Sequence, residues 1–254
     1  MYHWTRDAAI AAVEIATNPM FLTPAGVCQQ LCDYLAFSQL CQDSATAAGH
    51  FYRAAYQIDG TVRDWSDQKD GPALQNTAFV AALPRPDAAS QATAKTIAQE
   101  NLDRIVQDWD TDDANYFNAW EEVMGASFFA RAAQLRCLQE IQSTNALGLA
   151  APSGLAGAVT NLTNALAAHW DPSNGYYVSM QNGILPAGSL LNNLGGYDPN
   201  ADIIMACIYG AVPCTDPQLV ATAAKLRAQF DVGGSGAYPS TAPTATSAQG
   251  RSAR

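Results

Sequence analysis

Histidine is scarce: the chain of 254 residues has three, His3, His50 and His169. None stands at ligand spacing beside another histidine or a cysteine, so no zinc site and no Ser-His-Asp triad can be assembled from them. Charge is sparse and lopsided. Lys and Arg total 13 against 23 Asp and Glu, a net charge of -10. That balance argues against nucleic acid and against anionic membrane surfaces as partners. Apolar runs of membrane-spanning length are missing. Glutamate is absent from the whole second part of the chain, since Glu140 is the last one. No secretory leader is visible. Met1 runs straight into Tyr2-His3-Trp4-Thr5-Arg6-Asp7 and reads as a truncated or misassigned start.

What is present points to one helical core. The pattern starts with Arg6–Thr17, which stops ahead of Pro19, and continues with Gly26 to about Ser44. Residues 45–65 read as a loop with an extended piece, Ala55–Thr61. Asp70-Gly71-Pro72 reads as a helix opening, Asp70 the cap and Pro72 in the first turn, for a helix reaching about Leu83. Ala98, Leu102, Ile105 and Trp109 mark a fourth helix. A fifth follows Gly125, with Phe128, Ala132, Leu135 and Leu138 on one face, and ends near Ser143. Leu155, Val159, Leu162 and Leu166 mark a sixth, and Leu219, Ala223, Leu226 and Phe230 a last one. Tyr176–Val178 follows turn chemistry and reads as a short strand. The expectation is about seven helices, an all-α chain with long connectors able to carry function. From Val232 the composition turns to Gly, Ser, Thr, Ala and Pro, so residues 232–254 read as a disordered tail on a domain of residues 1–231.

Cys28 and Cys32 lie one helical turn apart and read as core thiols. The pair Cys207 and Cys214 closes a short loop, and two buried thiols or a bridge would both suit it.

Three stretches carry chemistry. Asn118-Ala119-Trp120-Glu121-Glu122-Val123-Met124-Gly125 holds the chain's only adjacent glutamates, with an indole before them. Taken alone, acids and an aromatic at a helix entrance would be explained by the helix dipole and by packing. The other two are Tyr2-His3-Trp4-Thr5-Arg6-Asp7-Ala8 and Trp65-Ser66-Asp67-Gln68-Lys69-Asp70-Gly71-Pro72-Ala73-Leu74. In this order, with Gly125-x-Ser127-Phe128-Phe129, they resemble the signatures of the glucoamylases, family 15 of the glycoside hydrolases, from Tyr2 to about Phe230.

The resemblance implies a partial (α/α)6 toroid, with about seven of the family's twelve helices present, and an α-glucan or malto-oligosaccharide substrate. The chemistry it implies is inverting release of glucose from non-reducing ends, with no cofactor or metal. It also implies secretion and a disulfide between Cys207 and Cys214. Glu121 then corresponds to the general acid and Glu122 to a substrate hydrogen-bonding group. Arg6 and Asp7 correspond to the grip on the terminal glucose, and Trp4, Trp65 and Trp120 to the aromatic lining. The residue types suit these roles. Neighbouring carboxylates in a closed pocket disfavour double ionisation, Arg donates through a planar fork, and an indole offers a face to sugar C–H groups and an N–H to an oxygen.

Departures are as informative. Asn118 stands where the family usually has Asp, and an amide cannot act as a base. Ala119 and Met124 differ from the family, the Trp65 loop is one residue short, and Gln75 replaces an arginine. No glutamate lies in the final third, where the family keeps its catalytic base. An inverting glycosidase needs that base about 6.5–9.5 Å from the acid. Three readings remain: an enzyme completed elsewhere, a catalytically inactive glucan-binding module, and a piece that does not fold alone. A trehalose- or dextran-cleaving relative is a further alternative. Exposed faces of an incomplete barrel would favour self-association.

Overall fold

The structure is a computed structural model that describes residues 2–18, 23–51, 53–111, 113–189, 191 and 193–230. The tail from Val232 lies outside the described residues.

Eight α-helices make up most of the described residues: α1 (Thr5–Thr17), α2 (Pro24–Ala47), α3 (Gly71–Ala82), α4 (Ala88–Asp108), α5 (Phe128–Ser143), α6 (Leu155–Ala167), α7 (Asp202–Ile208) and α8 (Pro217–Phe230). They sort into two rows. An inner row runs α1 against α3, α3 against α5 and α5 against α7. An outer row backs it, with α2 on α1, α4 on α3 and on α2, α6 on α5, and α8 on α7. This alternation of inner and outer helices is the toroid pattern.

Alanine sets the closeness of the inner row. Ala9, Ala12 and Ala16 of α1 and Ala73, Ala78 and Ala82 of α3 are all buried in one cluster. Small side chains let two backbones approach without a gap to fill, and dispersion then acts over the full length of the contact. Larger residues fill the space behind: Phe79, Ile97, Leu102, Ile105, Phe128, Phe129 and Leu138 are almost wholly buried.

The sequence pattern places seven of the eight helices close to their observed positions. The eighth, α7, has only seven residues, too few to display a period. Asp70 departs from the expected cap. Its side chain makes no capping hydrogen bond and turns instead to Arg6. Caps form at Thr23 on α2, Asp87 on α4, Ser127 on α5 and Asp216 on α8. The expected bridge, Cys207–Cys214, is formed, while Cys28 and Cys32 are free and only partly buried.

Three two-stranded antiparallel sheets tie the connectors down: β1 (Tyr2–Trp4) with β2 (Ala55–Gln57), β3 (Met124–Ser127) with β6 (Met180–Ile184), and β4 (Trp170–Asp171) with β5 (Tyr176–Tyr177). The first two matter for the site. Tyr2 pairs with Gln57 and Trp4 with Ala55, which brings the start of the chain to the Trp65 segment. The second sheet starts one residue after the two glutamates and slips register between Met124 and Ala126. Gly125 sits at that slip with φ +145, where an added Cβ would lie 2.8 Å from the Gln181 carbonyl oxygen. Gly125→Ala must therefore strain the backbone and displace β6. We expect it to cost roughly 2–3 kcal/mol, read as a drop in the urea midpoint.

Candidate active site

The Trp-Glu-Glu segment does not sit at a helix entrance. It forms a tight turn that feeds β3, and α5 begins only at Phe128. The turn is built around Asn118, which is 1% exposed. Its side-chain oxygen accepts from the backbone N–H of Glu122 (3.0 Å) and Val123 (3.3 Å), and its backbone carbonyl accepts from Glu121 (3.1 Å) and from Gln68 Nε2 (2.8 Å). Glu121 lies at the apex with φ +60. That conformation is uncommon for a side chain of this size, and it persists only where neighbours dictate it. An aspartate could accept these bonds equally well. The amide nitrogen adds a donor, which is used on the Tyr197 hydroxyl.

Glu121 is met from a segment more than fifty residues earlier. Trp65 Nε1 donates to Oε2, and Ser66 Oγ donates to Oε1 at 3.1 Å. Trp65 is itself fixed: Trp4 lies edge-on to it at 6.4 Å, and Arg53 donates to its carbonyl oxygen. Trp120 is held from the other side of the sequence, its Nε1 donating to Asn200 Oδ1 at 2.7 Å. Both indoles remain about half exposed, 46% for Trp65 and 48% for Trp120, while their N–H groups are engaged. Two anchored, half-exposed indoles thus flank the turn apex, Trp65 bonded to the Glu121 carboxylate and Trp120 preceding it in sequence.

Arg6, expected with Asp7 to grip the terminal glucose, is bound largely by the protein itself. Its guanidinium is buried and donates to Asp70 Oδ2 (3.0 Å), Gln68 Oε1 (2.9 Å) and the Ala119 carbonyl (2.8 Å). Burial alone would lower its pKa, but Asp70 alongside outweighs that and the net shift is upward. Arg6 therefore cross-links the starts of α1 and α3 to the residue before Trp120. Asp7, one position on, is exposed and within electrostatic reach of Arg6.

A group not anticipated from the sequence closes the floor. Tyr197 accepts from Asn118 Nδ2 and lies within electrostatic reach of Glu122. Burial raises the Glu122 pKa, and the Tyr197 hydroxyl opposes the rise. Burial, together with the carboxylates of Asp202, Glu122 and Asp198, raises that of Tyr197. Beneath it, Ser179 N–H donates to Asp198 (2.7 Å) and Ser179 Oγ reaches both oxygens of Asp202 (2.8 and 2.7 Å). Burial pushes Asp198 up to about 6 and Asp202 up to about 7.

Of the residues expected to converge, Trp4, Arg6, Trp65, Trp120, Glu121 and Glu122 are linked by this network at one end of the inner helices. Asp7 adjoins it without a direct bond. Sequence reasoning missed Ser66, Gln68, Tyr197 and Asn200. Ser66 and Gln68 lay inside a quoted motif, whereas Tyr197 and Asn200 offered no local signal.

The match to known proteins is consistent along the chain. Residues 1–244 fit the model of the glycosyl hydrolases family 15. The chain belongs to that family. It is 25% identical over 237 residues to Glucoamylase-1 of Schizophyllum commune, covering 86% of this chain and 40% of that relative. The glycoside hydrolase family 15 glucoamylase of Hypocrea jecorina superposes with a TM-score of 0.58 at 26% identity, over 71% of this chain and 32% of that one. The Hormoconis resinae glucoamylase gives 0.57 at 25% identity, over 74% and 33%. This family 15 chain therefore spans about 40% of the length of the curated relative it matches.

Proposed function

We propose that the chain carries the acid-donating part of a glucan-hydrolysing site. The reaction is inverting removal of glucose from the non-reducing ends of α-1,4-linked glucans. Glu121 is the general acid and protonates the leaving glycosidic oxygen. Trp65 and Trp120 take the sugar faces, with Trp4 supporting Trp65. Glu122 and Asp7 accept from sugar hydroxyls, and Arg6 anchors the turn and offers its remaining N–H groups to the terminal glucose. The observation that carries this reading is Glu121 at a turn apex, both oxygens engaged by Trp65 and Ser66, with two half-exposed indoles near it. The Cys207–Cys214 bridge supports an oxidising, extracellular setting.

Glu140 is no candidate for the base. It lies twelve residues along α5 from Phe128, about 18 Å at the helical rise, and it caps the far end by accepting from Ala146 N–H. Asp202 is buried against Ser179. A second reading, an inactive glucan-binding module, is favoured by the engagement of Glu140 in the cap of α5 and of Asp202 by Ser179.

General acid–base assistance is worth about 10²–10⁴-fold for each partner. Residues 1–254 should therefore release glucose from maltoheptaose at least about 10²-fold more slowly than a whole glucoamylase, and Glu121→Gln should remove what remains. A rate equal to a whole enzyme's, or one indifferent to Glu121→Gln, would overturn the assignment.

A further inference from the structure

Arg63 has no part in the network described above, yet it stands against it. Its guanidinium carbon lies 3.8 Å from the Tyr2 ring centroid, 4.1 Å from that of Trp65 and 5.7 Å from that of Trp4. Tyr2 and Trp65 are each about half exposed, so the cation is held against two aromatic rings beside the candidate site. Among the described residues, ion pairs are made by Arg6, Arg53, Lys69, Arg104 and Arg131, and none by Arg63. Its side-chain N–H groups donate to no described residue either, and only its backbone N–H is used, on the Ala55 carbonyl at 3.3 Å. Arg85, Arg136 and Arg227 also make no ion pair among the described residues, and Arg63 differs from them in being stacked on aromatic rings.

Resting on the glucan reading, we propose that Arg63 is a specificity-determining residue, and that the site takes α-glucans bearing a covalently attached oxyanion, a phosphate monoester or a carboxylate. Stacking against Tyr2 and Trp65 fixes the planar fork before a ligand arrives, which reduces the side-chain entropy lost on binding. Such a fork meets a carboxylate or phosphate through two parallel bonds between opposite charges, a geometry and an attraction that a neutral hydroxyl does not offer. Trp65 is shared between the two functions. Its ring carries Arg63 while its N–H holds Glu121, so an oxyanion on Arg63 belongs to a sugar seated beside the acid.

The test is a titration of the whole chain, followed by tryptophan fluorescence. The ligands are maltoheptaose, maltoheptaose with one 6-phosphorylated glucose, and maltoheptaose with one glucose oxidised at C6 to a carboxylate. Inorganic phosphate is a fourth arm. At low salt an anionic oligosaccharide should bind about tenfold more tightly than the neutral one, narrowing as salt is raised. Tighter binding of one anionic form alone names that substituent. Arg63→Gln should bring the ratio to about one, and Arg63→Lys should restore part of it. Reading a ratio cancels any general weakening, and the unmodified chain tests the preference without a variant. Equal binding of neutral and anionic forms overturns this proposal and leaves the glucan reading standing. Binding of inorganic phosphate as tightly as the phosphorylated sugar, or a preference that survives Arg63→Gln, also overturns it. Binding of none of the oligosaccharides overturns both.

Discussion

Arg6→Ala should destabilise the protein by about 3–5 kcal/mol, the range for breaking a buried ion pair from one side. Arg6 and Asp70 have side chains only 9% and 4% exposed and meet at 3.0 Å. Removing the cation leaves the Asp70 carboxylate buried with no opposing charge, and also frees Gln68 Oε1 and the Ala119 carbonyl. Truncation from this side is costly because each abandoned acceptor keeps its desolvation penalty. Replacing both partners by apolar residues, Arg6→Met with Asp70→Leu, should recover much of the loss. Equilibrium urea unfolding measures each variant. A single variant losing less than about 1 kcal/mol would mean the pair is not the clasp between α1, α3 and the Trp120 turn.

The second large effect is on pH. Asp202 is fully buried and titrates near 7, and Asp198 near 6, in both cases because burial penalises the charged form. Their folded pKa values lie above those of an unfolded chain. The native state accordingly binds more protons than the unfolded one, and the stability contributed by the neutral carboxyls is complete below about pH 4. It is lost as pH rises through 6 and 7, at about 1.4 kcal/mol per pH unit for each group inside its window. Thermal unfolding should therefore give a markedly higher Tm at pH 5 than at pH 8. General charge repulsion in an acidic chain acts in the same direction, so Asp202→Asn is the control. It should flatten the part of the slope that belongs to Asp202, leaving the chain more stable than the parent at pH 8. An unchanged slope in Asp202→Asn would show that the buried carboxyl does not titrate there. Since Asn200 and Tyr197 flank these acids and grip Trp120 and Asn118, the same titration bears on the order of the turn.

How much of this was legible beforehand differs by element. Long helices with apolar periods, such as that of Phe128, Ala132, Leu135 and Leu138, could be read because burial on one face leaves a trace in the spacing. Of the short strands, Ala55–Gln57 and Tyr176–Tyr177 fall where an extended piece and a strand were expected; α7 and the other strands left no such trace, since their position is set by pairing with distant partners. The site motifs identified the residues but not their geometry. Arg6 is paired with Asp70, 64 positions away, because the turn into α3 brings a carboxylate to it inside the fold. Asn118 was read as the loss of a carboxylate. Its actual work is to satisfy the backbone of the turn, a role that appears only once Glu121 is seen at positive φ. Tyr197 and Asn200 were invisible for the same reason: no short-range pattern marks a residue whose partners lie some eighty positions earlier.

The central claim is that Trp65, Trp120 and Glu121 surround one sugar. The chain has five tryptophans, hence five indole N–H signals in an NMR spectrum of protein labelled with ¹⁵N at tryptophan. Maltoheptaose should shift the signals of Trp65 and Trp120, with a smaller effect at Trp4. It should leave Trp109 and Trp170, which pack against the core, in place. Shifts at Trp109 and Trp170 with none at Trp65 and Trp120, or no shift at any indole at saturating sugar, would contradict the account.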